Sequence, residues 1–383
     1  MSEDFKRKLE AYNKGKLSGP ELVEVEKELE KMEEYQQFLK ESKTEEKKGI
    51  DINAKKQKKA LQHNKWKARV QTVCTILGLL LVFSIVTTIL TGVYYSWGKP
   101  DRVEVFRNVI DKTMTVTDPY GEIGGTSTNT NAYFGMEATR DVNKSVGNET
   151  IKVGEIKTDF LFSMMNAPER EDFGKVSQPT PAFIYPGVGE RGMSDWDKLE
   201  KLPEGTVVSA YLSFSELLET GDVLKRFEGK DMELVWLAVD TGMEAKDENH
   251  EGIIFEPIGF PSYPIWHDDD MVLDSKEVEK GLFGTRTVSE SHSSPDYDAG
   301  DQEIIHKQFL KTLDFLRKHE RKANKFYFGD LNLSKRIDYL EKNGFMHYGV
   351  VLTGPTKEVL KLKKETWSES IEVDEVSFWS WDE

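Results

Sequence analysis

Residues 74–93 read CTILGLLLVFSIVTTILTGV and lie within a longer run, residues 70–98, that contains no Asp, Glu, Lys or Arg. Twenty residues of α-helix rise about 30 Å, which matches the hydrocarbon core of a bilayer. Two tyrosines and a tryptophan follow the apolar run, and aromatic residues at this point are typical of a membrane interface. The run therefore predicts one transmembrane helix over residues 70–97.

Two other readings of the apolar run fit less well. A buried core helix would not explain why the run is uninterrupted and flanked as a bilayer requires. A cleaved signal peptide has a short basic start, whereas 69 residues precede this run. The single cysteine, Cys74, excludes an intrachain disulfide and lies just inside the span, as a small packing residue or a palmitoylation site.

The charges beside the span predict its direction. After it, Lys99 and Arg102 are balanced by Asp101 and Glu104. Basic residues favour the cytoplasmic side, and each contributes about 1 kcal/mol of attraction to an anionic leaflet. We therefore expect a cytoplasmic N-terminus and an extracellular C-terminal domain. The basic residues before the span, which we expect to lie at the membrane surface, are Lys55, Lys56, Lys58, Lys59, Lys65, Lys67 and Arg69.

The net charge of −16 is unevenly divided. Residues 1–69 hold 18 Lys/Arg and 14 Asp/Glu, whereas the remainder holds 34 Lys/Arg and 54 Asp/Glu. Phosphate contacts need Lys and Arg, so the acidic bulk argues against nucleic acid as a direct partner.

The first forty residues predict a helical hairpin. Phe5, Leu9 and Tyr12 form the stripe of a short amphipathic helix, and Gly15 is placed to end it. Ser18-Gly-Pro-Glu predicts a capping box with Ser18 as the N-cap of a second helix. We expect the apolar stripe of this second helix to bind a partner, because the hairpin alone cannot bury it. A self-associating coiled-coil stalk is the alternative. The stripe consists of Leu22, Val25, Leu29, Met32, Tyr35 and Leu39.

The stretch YNKGKLSGPELVEVEKELEKMEEY, residues 12–35, resembles the N-terminal segment of membrane-anchored anti-sigma factors. The zinc-binding members of that family continue with a His and a Cys-x-x-Cys pair. Glu28, Met32 and Tyr35 occupy those positions here, so we expect neither metal nor any other cofactor.

The residues after the span, 98–383, which we call the outer region, predict a mixed α/β or α+β domain. The predicted strands are Met114–Thr117, Ile151–Ile156, Ala182–Tyr185, Val207–Phe214, Leu234–Val239, Tyr348–Leu352 and Ile371–Trp381. The predicted helices are Ser215–Phe227, Gln302–His319, Ser334–Asn343 and Pro355–Lys364.

The outer region also carries a resemblance. VVSAYLSFSELLETGDVLKRF (207–227) and RIDYLEKNGFMHYGVVLTGPTKEVLKLKKE (336–365) are similar to the sigma-factor-regulator C-terminal domain of Gram-positive anti-sigma factors of the sigma-M type. The region from Val70 to about Asp159 is similar to its companion N-terminal segment.

Other motifs in the outer region lack the features of a catalytic or ligand site. Gly121–Thr126 has no following Lys-Ser/Thr of a phosphate loop, and we expect an ordinary loop. His267–Asp270 lacks the spacing of an EF-hand. The serines and histidines without a recognisable catalytic setting are Ser213, Ser215, His306 and His347.

Taken together, the resemblances imply an anti-sigma factor and not an enzyme. The hairpin would hold an extracytoplasmic-function sigma factor at the membrane, and the outer domain would sense envelope stress or contact a second membrane protein that acts as co-regulator. The alternative is an envelope enzyme or wall-binding protein with a short cytoplasmic tail. The expected layout is a sigma-binding segment (1–45), a basic juxtamembrane segment (46–69), the span (70–97), a sigma-regulator N-terminal segment (98–195) and a C-terminal domain (196–383).

Overall fold

The computed structural model of the chain describes residues 3–42, 54–173, 181–188, 194–244, 252–281, 284–295, 297 and 300–379. The chain divides into two compact units, Met1–Leu81 and Val82–Glu383.

The first unit begins with the predicted helical hairpin. Helix α1 spans Glu3–Asn13 and helix α2 spans Pro20–Ser42. Gly15 has a φ of +62°, as expected for a glycine that ends a helix. The predicted capping by Ser18 is wrong by one residue. Gly19 has a left-handed φ of +71°, so α2 begins only at Pro20, and proline is well suited to a first helical position.

Helix α3, Ala54–Tyr95, contains the predicted span. From Gln62 to Tyr95 the helix is long and apolar enough to cross a membrane, with a mean hydropathy of 2.6 in its most apolar window. The helix is longer than the predicted span, because it starts within the basic segment. It is not interrupted between the basic residues and the tyrosines at its end.

The second unit contains the remaining helices and all the described strands. The helices are α4 (Arg102–Thr117), α5 (Trp196–Leu199), α6 (Thr220–Phe227), α7 (Gln302–Lys318), α8 (Glu320–Tyr327), α9 (Leu333–Asn343) and α10 (Thr356–Val359), with 3-10 turns at Asp268–Asp270 and Leu360–Lys364. The strands are β1 (Thr126–Asn131), β2 (Gly135–Val146), β3 (Glu149–Leu161), β4 (Met164–Met165), β5 (Glu169–Asp172), β6 (Phe183–Ile184), β7 (Thr206–Glu219), β8 (Glu233–Val239), β9 (Ile253–Ile254), β10 (Gly259–Pro261), β11 (Val272–Gly281), β12 (Gly284–Ser293), β13 (Met346–Pro355) and β14 (Ser368–Phe378).

Two antiparallel sheets organise this unit. The first sheet has the order β1-β2-β3-β4, with β5 also paired to β3. The second has the order β10-β8-β13-β7-β14. On β7, Val208, Ala210 and Leu212 lie in the main core, whereas Tyr211 lies in a smaller core on the other face. This alternation is the period-two pattern of a strand that is covered on both sides.

Helix α4 connects the two sheets through its packing. Val109 and Val116 belong to the main core of the second sheet, whereas Phe106, Ile110 and Met114 pack in the core of the first sheet. Tyr95, the last residue of α3, is 1% exposed and belongs to the same core of the first sheet. The C-terminal end of α3 is therefore part of a folded domain.

Two of the predicted elements are wrong. Met114–Thr117 is the last turn of α4 and not a strand, because the helix buries both of its apolar faces and each threonine hydroxyl bonds a carbonyl four residues earlier. Ser215–Glu219 extends β7 and is not helical, because Leu218 and Glu219 pair with β13. The last predicted strand is observed as β14 and ends at Phe378. Trp379 follows it outside the strand, and Trp381 lies outside the described residues.

Candidate functional site

The apolar stripe of α2 is covered only over its first half. Val25 is 1% exposed, and Leu22 and Leu29 are half-buried. Helix α1 contacts α2 at this level, where Lys8 Nζ lies 2.8 Å from a carboxylate oxygen of Glu24. The hairpin thus covers the first half of its own stripe, whereas the sequence predicts that a partner covers the whole stripe.

The second half of the α2 stripe is open. Met32, Tyr35 and Leu39 are 43%, 66% and 43% exposed. Phe38, which the sequence analysis missed, is 66% exposed and lies three residues after Tyr35. The Tyr-x-x-Phe spacing is the signal that could have identified it, since residues three apart are neighbours on a helix. We call Met32, Tyr35, Phe38 and Leu39 the open stripe.

The exposed surface of α2 is mainly acidic, although Lys27 and Lys31 are exposed on it as well. Glu26, Glu28, Glu33 and Glu34 are exposed. The ion pair with Lys8 lowers the pKa of Glu24, so this carboxylate is already paired within the hairpin. The surface combines exposed apolar groups with negative charge, a combination suited to a partner with an apolar groove and a basic rim.

The basic residues before the apolar run belong to the same helix, α3. Lys65, Lys67 and Arg69 are exposed, as residues at a membrane surface need to be. Lys55, Lys56, Lys58 and Lys59 lie on its first turns, and their side chains are outside the described residues.

A charged cleft of about 720 Å³ lies in the second unit, between α4, the glycine-rich turn, residues 266–269 and the second half of α7. Its acidic and basic groups largely satisfy one another. The Asp111 carboxylate accepts hydrogen bonds from the Arg140 guanidinium and from the backbone and hydroxyl of Thr126. Burial lowers the pKa of Lys112, whose ammonium donates to the carbonyl of Trp266.

The glycine-rich stretch 121–126 is a turn at the wall of this cleft, as expected. A Cβ on Gly121 would lie 2.0 Å from the carbonyl oxygen of Met114. The glycine therefore lets the turn pack against the end of α4, and no phosphate is needed to explain it.

The carboxylates that follow His267 are held by amino and amide groups. Lys311 Nζ lies 2.6 Å from Asp269 Oδ1 and 2.7 Å from Asp270 Oδ1, and Asn108 donates to Asp268. His267 Nε2 is 2.8 Å from the hydroxyl of Thr312. Within the part of the chain that the structure describes, no cluster of three His, Cys, Asp or Glu side chains could hold a metal ion.

The serines and histidines singled out from the sequence do not form nucleophile and base pairs. Ser213 accepts from the backbone of Ile184, and Ser215 donates to the carbonyl of Thr366. His306 and His347 converge on the hydroxyl of Thr220, at 2.7 and 2.8 Å. This contact joins β13, α6 and α7 within the buried part of the domain and is structural in character.

Burial lowers the pKa of these two histidines. The pKa of His347 falls to about 3 and that of His306 to about 4. Both imidazoles are therefore neutral near neutral pH, and one nitrogen of His347 lies 3.1 Å from the carbonyl of Ala238.

Comparison with known proteins identifies the family. Residues 58–151 match the sigma factor regulator N-terminal domain, and residues 199–375 match the sigma factor regulator C-terminal domain. The chain is 30% identical, over 390 aligned positions that cover 100% of both proteins, to the probable anti-sigma-M factor YhdL of Bacillus subtilis (strain 168). No solved structure matches the chain. The resemblance seen in the sequence is confirmed: the chain belongs to the sigma factor regulator family of anti-sigma factors.

Proposed function

We propose that this anti-sigma factor sequesters an extracytoplasmic-function sigma factor at the membrane and releases it on an envelope signal. The observation that carries the proposal is the open stripe of α2, which exposes adjacent apolar side chains, whereas α1 covers the first half of the stripe. Met32, Tyr35, Phe38 and Leu39 form the proposed binding surface. Of the other predicted sigma-binding residues, Val25 is buried under α1 and Leu22 and Leu29 are half-buried, so they support this surface from within the hairpin.

The acidic residues of α2 set the selectivity of this surface. The exposed carboxylates of Glu26, Glu28, Glu33 and Glu34 complement basic residues by which a sigma factor contacts DNA or polymerase. Complementary charge speeds association and disfavours wrong partners. The hairpin acts by binding alone, without catalysis and without direct contact to nucleic acid.

The topology follows from the basic residues of α3. By the positive-inside rule, a cytoplasmic N-terminus is supported by Lys65, Lys67, Arg69 and the lysines before them. The second unit then lies outside the cell. Residues 1–45 bind sigma, 46–69 contact the membrane surface, 70–97 span it, and 98–195 and 196–383 form the outer regulator regions.

Signal detection belongs to the outer unit, either directly or through a second membrane protein. The burial of Tyr95 in the core of the first sheet supports this, because any change in that sheet acts on the end of the membrane helix. Release by proteolysis and release by a change of conformation are both compatible with this arrangement.

The test of sigma binding uses the full chain in detergent and a purified sigma factor encoded beside its gene. Met32→Asp and Tyr35→Asp introduce charge into the open stripe without disturbing the covered half of the hairpin. We expect each to raise the dissociation constant by about 30-fold or more, since losing an interface anchor costs about 2 kcal/mol.

Val23→Asp is the matched control. Val23 is 61% exposed on the same helix but lies outside the stripe, so this change should leave the affinity nearly unaltered. Equal loss of binding in all three variants would indicate a general effect of charge on α2. Unchanged binding by the Met32 and Tyr35 variants would show that the proposed surface is wrong.

A further inference from the structure

The end of the first sheet carries two turns that are rich in aromatic and apolar residues. Residues 132–134 connect β1 to β2, and residues 161–164 connect β3 to β4. We call these two segments the sheet tip. The chain around them, residues 123–136 and 160–168, contains no charged side chain.

The sheet tip exposes a group of large apolar side chains. Tyr133, Leu161, Phe162 and Met164 are 50%, 46%, 40% and 63% exposed. Single exposed apolar residues are ordinary, but a contiguous group without charge marks a surface that meets lipid or another apolar partner.

The sheet tip lies against α3. The Tyr133 hydroxyl is 2.5 Å from Ser84 Oγ, and the Tyr133 ring packs on Phe83 at 5.9 Å between centroids. Phe134 and Phe162 stack at 4.4 Å, and both meet Tyr94 edge to face. The apolar group on the tip is thus continuous with the lipid-facing surface of the predicted span.

The position of Ser84 sets a minimum depth for the tip. The last charged residue before the apolar run is Arg69, so an apolar core of about 20 helical residues extends at least to Ile89. Ser84 stands five residues before Ile89, about 8 Å along the helix axis. The Tyr133 hydroxyl reaches that level even in the shallowest placement of the helix.

The hydrogen bonds of the tip also suit an environment without water. Tyr95 donates to the carbonyls of Phe134 and Phe162, and the backbone N–H of Phe134 donates to the hydroxyl of Thr91. Tyr94 and Ser163 pair through their hydroxyls at 2.8 Å. Irregular backbone persists at membrane depth only where protein satisfies its polar groups, as α3 does here.

The geometry points to the sheet tip as a second membrane-embedded element, inserted among the acyl chains of the leaflet beside the outer end of α3. The ligand of this surface is lipid hydrocarbon. The inference rests on the proposed membrane span, and it adds that the outer unit is fixed to the bilayer at two places. The first sheet would then respond directly to changes in the leaflet that it enters.

The test places a single environment-sensitive fluorophore on the full chain, with Cys74→Ala as background, in lipid nanodiscs. Met164→Cys reports on the tip, Leu80→Cys on the span, and Thr150→Cys on the opposite end of the β2–β3 hairpin. Acyl-brominated lipid and aqueous iodide serve as quenchers. We expect brominated lipid to quench positions 164 and 80 but not position 150, and iodide to quench position 150 several-fold more than position 164.

The three positions separate the two ways in which the inference can fail. Lipid quenching at position 80 together with iodide quenching at position 164, and no lipid quenching there, would overturn tip insertion and leave the span intact. Absence of lipid quenching at position 80 would overturn the span itself, and tip insertion with it.

Discussion

At the scale of single residues, the glycine-rich stretch 121–125 resembles a ligand-binding loop in the sequence, but packing against α4 explains its first glycine. The glycines at 121, 124 and 125 look like part of a phosphate loop, yet they differ in their surroundings. Gly121 faces the carbonyl of Met114, Gly124 has a φ of +94°, and Gly125 has no atom within 4 Å of the position of a Cβ. Only the first two positions require glycine.

We expect Gly121→Ala to lower the free energy of unfolding of the second unit by about 1–3 kcal/mol, because the new Cβ forces the turn away from α4. Gly125→Ala is the matched control and should change stability by less than about 0.5 kcal/mol. Thermal unfolding of both variants in detergent measures the difference. Equal stability of the two variants would contradict the close packing of the turn on α4.

The α2 stripe shows what periodicity in the sequence can and cannot predict about side chains. The steps of three and four identify Leu22, Val25 and Leu29 and their continuation, because periodicity is a local property. They do not reveal that α1 covers only the first half of the stripe. Phe38 was missed because it lies beside the stripe and becomes part of an apolar surface only when the exposure of its neighbours is known.

At the scale of elements, the sequence predicts the strands of the two main sheets best where their side chains are strongly apolar. Most of the second sheet was found, because β7, β8 and β13 are rich in valine, leucine and aromatic residues. The first sheet was almost entirely missed. Strand β2 alternates buried and half-exposed residues, but one buried position is Arg140, which is 2% exposed and compensated by Asp111. A buried ion pair conceals the strand pattern in the sequence.

The two histidines that contact Thr220 should make the stability of the protein depend on pH. His306 and His347 have folded pKa values below the ordinary value of 6.5, so the unfolded chain binds protons first as the pH falls. Their contribution to stability is complete above pH 6.5 and is lost below it. Between pH 6.5 and 5, the free energy of unfolding should fall by up to about 1.4 kcal/mol per pH unit for each histidine.

Urea unfolding of the full chain in detergent, followed by tryptophan fluorescence across this pH range, measures the slope. His347→Gln removes one titrating group and should flatten the slope, even where it lowers stability at pH 7. His63→Gln, a change at an exposed position of α3, should leave the slope as it is. A wild-type protein of constant stability down to pH 5 would refute the argument.

At the scale of the whole molecule, the segment that we propose to bind sigma is the part of the chain with the smallest core. The second unit has large hydrophobic cores on both of its main sheets, whereas Val25 is the single fully buried side chain among the described residues of the hairpin. Helices of this kind are weakly stable alone and gain order from a partner that covers the open stripe. The well-packed second unit therefore suits a stable regulator. The weakly packed hairpin suits a segment that completes its folding on a sigma factor.

We expect residues 1–69, without the apolar run, to form a stoichiometric complex with the sigma factor encoded beside the gene. The isolated segment should be a partly helical monomer, and its helix content, measured by circular dichroism, should rise when sigma is added. Its binding should require Met32 and Tyr35, as in the full chain. A stable dimer in sedimentation would support the coiled-coil stalk instead. A soluble, intact segment that fails to bind sigma would move the binding function away from the hairpin.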